Sequence, residues 1–270
     1  MQLTEEAARM SFKNAGIAIL FFVASMMGAS AARGTTCTAE SVKGVYGIST
    51  IGLGLNGSSQ PASSVYQITA DGAGNITGSA TKSIDGSIVS FTFTGTYEIE
   101  PSCTGTATFT NQDDQTEHDN FVMNNTNKGA FLLQTDTNHV QSSFAVAQGT
   151  IASCTDATLA HTYSLQLSGE DVGTGQVALA GQLVLKEKKV GTVENGTLTG
   201  TVGISVNGTI TPSVAVTGTY TVASNCTATA TITPSGMSAM NFNFVIVEQG
   251  KEVLAIETDN NTIVTGILQE

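Results

Sequence analysis

Charge is scarce in this 270-residue chain, and positive charge is scarcest. Only 12% of residues are charged, ten Lys and Arg against 22 Asp and Glu, for a net charge of −12. Nucleic-acid binding rests on neutralising phosphates, so the chain has no electrostatic footprint for nucleic acid, and anionic membrane surfaces are disfavoured for the same reason. Helical periodicity is nearly absent beyond residue 31. The four cysteines include no Cys-x-x-Cys, and the three histidines (His118, His139, His161) are scattered rather than set at ligand spacing. Long apolar runs are also missing, save residues 17–27, which fall short of the roughly 20 residues that span a bilayer.

That single run has the length of a signal-peptide core, preceded by Lys13 and followed by Ala29-Ser30-Ala31, the small-x-small pattern of a cleavage site. Residues 1–31 are therefore read as a signal peptide, with Met10 as an alternative start that gives Lys13 an ordinary basic n-region. Gly34-Thr35-Thr36 before Cys37 lacks the aliphatic residue of a lipobox. The mature chain is expected to be secreted, to the extracellular space or periplasm, and not to span the membrane after cleavage. In that setting four cysteines read as two disulfides with three conceivable connectivities.

What the chain has in plenty is itself. Thr94-Gly95-Thr96-Tyr97 followed by Cys103 and Thr104, Thr106, Thr108, Thr110 returns as Thr217-Gly218-Thr219-Tyr220 followed by Cys226 and Thr227, Thr229, Thr231, Thr233. A repeat of that length is one domain rather than a solenoid unit. The expected organisation is residues 32–150 as repeat 1 and 151–270 as repeat 2. Duplication favours disulfides within each copy, Cys37–Cys103 and Cys154–Cys226.

Alternation with a period of two runs through both copies, clearest in Val89 to Glu100, where odd positions are apolar or Gly and even ones polar. One buried and one wet face mark antiparallel sheet. Turn signals such as Asp71-Gly72, Asp85-Gly86, Asn195-Gly196 and Asn207-Gly208 cut repeat 1 into about eight strands, near 44–51, 64–70, 75–84, 87–100, 103–110, 119–125, 129–136 and 139–147. This predicts an all-β protein of two tandem eight-stranded antiparallel up-and-down barrels, two β-sandwiches being the alternative. A long connection is expected after the first strand of each copy, Gly52 to Ser63 and Gly169 to about Gly175.

That layout resembles the lipocalin and avidin barrels, in which a long first loop overhangs an open mouth, and the resemblance extends over each repeat. It implies a ligand held inside the barrel. Tyrosine stands in Gly44-Val45-Tyr46 and His161-Thr162-Tyr163 where lipocalins usually carry tryptophan, and the chain has no Trp for an avidin-type biotin pocket. The chain is also similar to secreted Thr/Gly-rich β proteins of bacteria.

Motifs of chemistry read as structure. Gly52-Leu53-Gly54-Leu55-Asn56-Gly57 precedes Ser-Ser-Gln-Pro rather than a helix, so it is a loop and not a dinucleotide fingerprint. Ser79 and Lys82 lie three apart on a strand and face opposite ways, unlike the helical Ser-x-x-Lys of penicillin-recognising enzymes. Glu117-His118-Asp119 with Asp113 and Asp114 is read as a solvated hairpin loop, and Asp71 to Asn75 as a turn rather than a calcium loop. Rows such as Thr104 to Thr110 are wet strand faces that a barrel would curve. Seven Asn-x-Ser/Thr sites (Asn56, Asn75, Asn124, Asn195, Asn207, Asn225, Asn260) follow from composition.

Function is thus expected to be non-enzymatic and without metal or cofactor: a secreted binding protein holding a small apolar or amphipathic ligand in a barrel. The candidate lining is Tyr46, Phe91, Phe93 and Tyr97 in copy one, with Tyr163, Val214, Val216 and Tyr220 in copy two. A structural or adhesive surface protein with side-chain-filled barrels is the alternative, since small barrels can be filled completely.

Overall fold

A computed structural model describes residues 36–54, 60–124, 128–187, 189–190, 193–194 and 196–270. The expected signal peptide 1–31, the Leu55–Ser59 part of the glycine-rich loop, and Asn56 and Asn195 lie outside the described residues. In Thr35–Glu270, one compact unit, the chain forms two closed eight-stranded antiparallel barrels. Closure excludes the sandwich alternative.

Barrel 1 comprises β1 (Gly44–Gly54), β2 (Gln60–Ala70), β3 (Asn75–Ile84), β4 (Ser87–Ile99), β5 (Thr104–Asn111), β6 (Thr116–Met123), β7 (Gly129–Gln134) and β8 (His139–Ala147). Each strand pairs with the next, and β8 returns to β1. Barrel 2 comprises β9 (Thr162–Asp171), β10 (Gly175–Lys186), β13 (Gly196–Val206), β14 (Thr209–Val222), β15 (Thr227–Pro234), β16 (Met240–Val247), β17 (Glu252–Glu257) and β18 (Thr262–Gln269). A two-residue hairpin, β11 (Lys189–Val190) with β12 (Val193–Glu194), interrupts it between β10 and β13.

The expected strand periods hold, with two corrections. The long first loop is largely absent: Ile51 to Gly54 pair with Gln60 to Ser63, so the hairpin continues through a stretch that Gly, Ser and Pro made look irregular. Pro61 fits because it stands at the start of β2, where a missing donor costs little, and its carbonyl accepts from Asp85 N–H at 3.0 Å. In copy two the same connection is only Val172 to Thr174. The second correction concerns Glu117 to Asp119, which belong to β6 rather than to a solvated loop. Alternation then splits them: His118 faces out, bonded to Asp136 Oδ1 at 2.7 Å, and Asp119 is buried inside the barrel.

One end of each barrel is plugged by a short 3-10 turn, Ala39–Val42 and Asp156–Leu159, which buries Val42 and Leu159. The disulfides Cys37–Cys103 and Cys154–Cys226 staple each plug to its barrel. Each closes a long loop, worth about 4 kcal/mol on the chain-entropy account. Tyr97 donates its hydroxyl to Ala39 O and Tyr220 to Asp156 O, both at 2.9 Å, so the repeated Thr-Gly-Thr-Tyr motif holds the plug.

The barrels lie side by side with their hairpin-tip ends, those opposite the plugs and carrying Asp85-Gly86 in barrel 1 and Asp259 to Asn261 in barrel 2, pointing the same way. Asn261 N–H donates to Gly86 O at one end and Gln249 N–H to Gln148 O at the other. Large side chains from β16 and β17 (Val245, Val247, Leu254, Ile256) pack on the outer face of β1 and β2 around Val65. That floor is small: Gly47, Ser49 and Ser63 are its buried residues. A Cβ on Gly47 would stand 2.7 Å from Val247 Cγ1 and 2.9 Å from Leu254 Cδ1. Gly47→Leu is expected to loosen this seam and cost about 2 kcal/mol, read as a lowered urea midpoint. A midpoint equal to wild type would mean that the contact is slack.

Candidate functional site

All eight sequence-predicted lining residues occupy the inner rows of their barrels, packed into the two apolar cores. Tyr46, Phe93 and Tyr97 sit in the apolar core of barrel 1, with Phe91 packed against its edge. Tyr163, Val214, Val216 and Tyr220 sit in the core of barrel 2. Phe93 stacks edge-on against Tyr66 and Phe109, and Tyr163 donates to Gly250 O at 2.6 Å. The apolar half of barrel 1, between Tyr46, Tyr97, Phe109 and Phe121, encloses about 40 Å³. Ligand pockets run to about 300–1,000 Å³, so that half is filled by its own side chains.

The hairpin-tip half of barrel 1 differs in kind. The inner row of β1 continues from Tyr46 and Ile48 to Thr50, that of β2 from Ile68 to Tyr66 and Ser64, and that of β3 from Ala80 to Lys82. The inner row of β6 runs Met123, Phe121, Asp119, Glu117; that of β7 ends on Gln134; that of β8 runs Ala145, Ser143, Gln141, His139. Polar side chains thus ring the interior. Thr50 and Ser143 hydroxyls bond at 2.7 Å, and Lys82 Nζ lies 3.7 Å from Glu117 Oε2 across the strands. Gln141 is 3% exposed, yet neither atom of its amide has a hydrogen-bond partner among the described residues. Gln134 Oε1 and His139 Nδ1 are likewise unpartnered. Gly52 opposite makes room for this arrangement, since a Cβ there would stand 2.7 Å from Gln141 Cγ.

Electrostatics follow burial. The Asp119 carboxyl is pushed up to about 7 by desolvation and then by Glu117 and Asp136, against the weaker pull of Lys82 and His118. Burial likewise pushes the Tyr66 phenol up, with Glu117 adding to it. Lys82 and Glu117 balance one another, which leaves Asp119 as the carboxylate without a cation of its own. A neutral or cationic guest suits this half better than an anion.

Barrel 2 lacks most of this arrangement. Strand registers equate Tyr46 with Tyr163, Ile68 with Leu183, and Thr106–Asn120 with Thr229–Asn243. Carried along each strand, Thr50 corresponds to Leu167, Ser64 to Leu179, Tyr66 to Gly181, Lys82 to Ile204, Asp119 to Phe242 and Gln141 to Val264. Gln134 alone has an ionisable counterpart, Glu257, whose carboxyl burial raises to about 7, helped by Asp259 and Asp171.

Outside the barrels, a groove of about 580 Å³ runs between them, lined by Gln67, Ser79, Thr81, Thr229 and Asn243 and holding no ionisable side chain. Asn243 Nδ2 donates to Thr81 Oγ1 across it at 2.9 Å. No group of three or more His, Cys, Asp or Glu suited to a metal occurs among the described residues, and no helix there is long and apolar enough to cross a membrane.

No family model and no curated protein matches the chain. Among solved structures it is similar to the isotype 1 transferrin binding protein B of serogroup B Neisseria meningitidis, at 7% identity and a TM-score of 0.29, over 84% of this chain and 75% of that one. Likeness at that level is too low to indicate a shared function.

Proposed function

We propose that this chain is a secreted, non-enzymatic binding protein whose first barrel takes a small polar molecule at its hairpin-tip end, while the second barrel is a filled support. The observation that carries this is Gln141: a buried amide with both atoms unpartnered among the described residues, in a barrel whose twin has Val264 at the same place. Leaving buried donors and acceptors unpaired costs about 1–3 kcal/mol each, and a guest with donors and acceptors of its own would remove that cost. Two disulfides suit the oxidising compartments that the expected signal peptide implies.

The test is native mass spectrometry on protein purified from its own host, wild type beside Gln141→Val. Wild type is expected to carry a small polar molecule that denaturation releases, and the variant to be bare and about 2 kcal/mol more stable when empty. A bare mass for wild type would sink the proposal. That outcome would favour the structural or adhesive reading, for which the uncharged inter-barrel groove and the filled apolar half of barrel 1 speak.

A further inference from the structure

The face by which barrel 2 grips barrel 1 has a twin on barrel 1, and that twin is bare. Val245, Leu254 and Ile256 are buried between the barrels, and Ile263 beside them is buried as well. By the registers above their counterparts are Val122, Phe131, Leu133 and Val140, on the outer face of β6, β7 and β8. These are 43%, 67%, 56% and 63% exposed. Isolated exposed apolar residues are ordinary, but four on one contiguous sheet face mark an interaction surface. The face continues into Phe144, which packs at the edge of the inter-barrel contact.

We propose that its occupant is a second copy of this chain, docked head to tail: the β6–β7–β8 face of one copy on the β9–β10 face of the next. The existing contact within the chain supplies the precedent, since it sets large side chains on a floor of small ones. The floor's counterpart on barrel 2 is Ser164, Gln166, Ala178 and Ala180, all exposed and uncharged; Gln166 borders a groove whose opposite wall carries Phe131 and Phe144, and Ala178 one that includes Ile51. It would receive Phe131 and Leu133 as Gly47, Ser49, Ser63 and Val65 receive Leu254 and Ile256. Ser164 stands where the internal contact has Gly47, so the contact between chains is the looser of the two and depends on concentration. A contact that joins unlike faces repeats, closing into a ring or running on as a filament.

The experiment is light scattering and sedimentation of the full chain over a concentration series, with two surface variants, Phe131→Asp and Ala180→Arg. Wild type is expected to grow beyond the dimer as concentration rises. Each variant alone is expected to lose assembly, because each spoils one of the two faces. Mixed, they are expected to form a discrete one-to-one dimer, since Ala180→Arg keeps the apolar face and Phe131→Asp keeps the floor. A wild type that stays monomeric, or that stops at a dimer indifferent to Ala180→Arg, overturns the proposal. The second outcome would mean that two apolar faces pair with each other. Ligand loading by native mass spectrometry is unaffected by either variant, so failure here and failure of the barrel-1 binding site are told apart.

Discussion

Urea denaturation midpoints are expected to fall as pH rises from 5 to 8, with the steepest loss between about pH 5 and 7. Two carboxyls drive this, Asp119 in barrel 1 and Glu257 in barrel 2, both raised to about 7 by burial. In the unfolded chain they titrate near 4. Between about pH 4 and pH 7 the native state therefore holds protons that the unfolded state has released, and linkage makes stability fall with pH across that window. Above it the loss is complete; below it these two groups add nothing further. Asp71 acts in the opposite sense, its carboxyl held low chiefly by the Asn75 side chain, so its contribution goes only as pH drops towards 4 and below. Each buried carboxyl contributes about 2 kcal/mol over its window, allowing for water at the barrel end. The double variant Asp119→Asn with Glu257→Gln should show a flatter profile and a higher midpoint at pH 8. Parallel profiles for wild type and variant would show that these groups are already ionised in the folded protein.

The second large effect is expected at Gly196. This glycine pairs with Tyr220 across β13 and β14, and a Cβ there would stand 2.0 Å from Tyr220 Cζ and 2.1 Å from its Cε1. Tyr220 is nearly fully buried and its hydroxyl holds the Asp156–Leu159 plug, so the ring has nowhere to go. Gly196→Val should cost about 4 kcal/mol or more, enough to lower the thermal midpoint by roughly 10 °C and to free the plug of barrel 2. Differential scanning calorimetry would read it. A midpoint within two degrees or so of wild type would mean that the sheet shifts to accommodate the side chain.

Much of this architecture was legible because a strand's period is two and a turn's chemistry is local. Val89 to Glu100 announces both strand and face, and Asp85-Gly86 announces its hairpin. The duplicated Cys103 and Cys226 make the staples readable from the sequence alone. The site is less legible, because in a sequence polarity reads as exposure. Asp119 stands two residues before Phe121 and four before Met123, which already places it on the inward row, but three charged or polar neighbours hid the strand. Gln141 alternates with Ser143 and Ala145 in the same way. Comparing the copies position by position would have exposed both, since Phe242 and Val264 are the apolar residues that an inward row is expected to carry. The predicted tyrosines lie on the inside, and the hydroxyls of Tyr97 and Tyr220 hold the plugs, a contact between distant segments that no local pattern announces.

Closure of the barrels carries a kinetic consequence. The last ladder in each, β1 with β8 and β9 with β18, joins residues about a hundred positions apart, such as Tyr46 with Ala147. Contacts that remote in sequence form late and slowly, because chain entropy must be lost before they return anything. Until that zip is fastened, four strands offer bare edges to any neighbour, which is the period of greatest aggregation hazard. Barrel 1 can fasten its own before β9 exists on a growing chain, so synthesis from the N-terminus halves the number of edges open at once. Refolding from denaturant, with both barrels starting together, forgoes that advantage and is expected to be the less forgiving route.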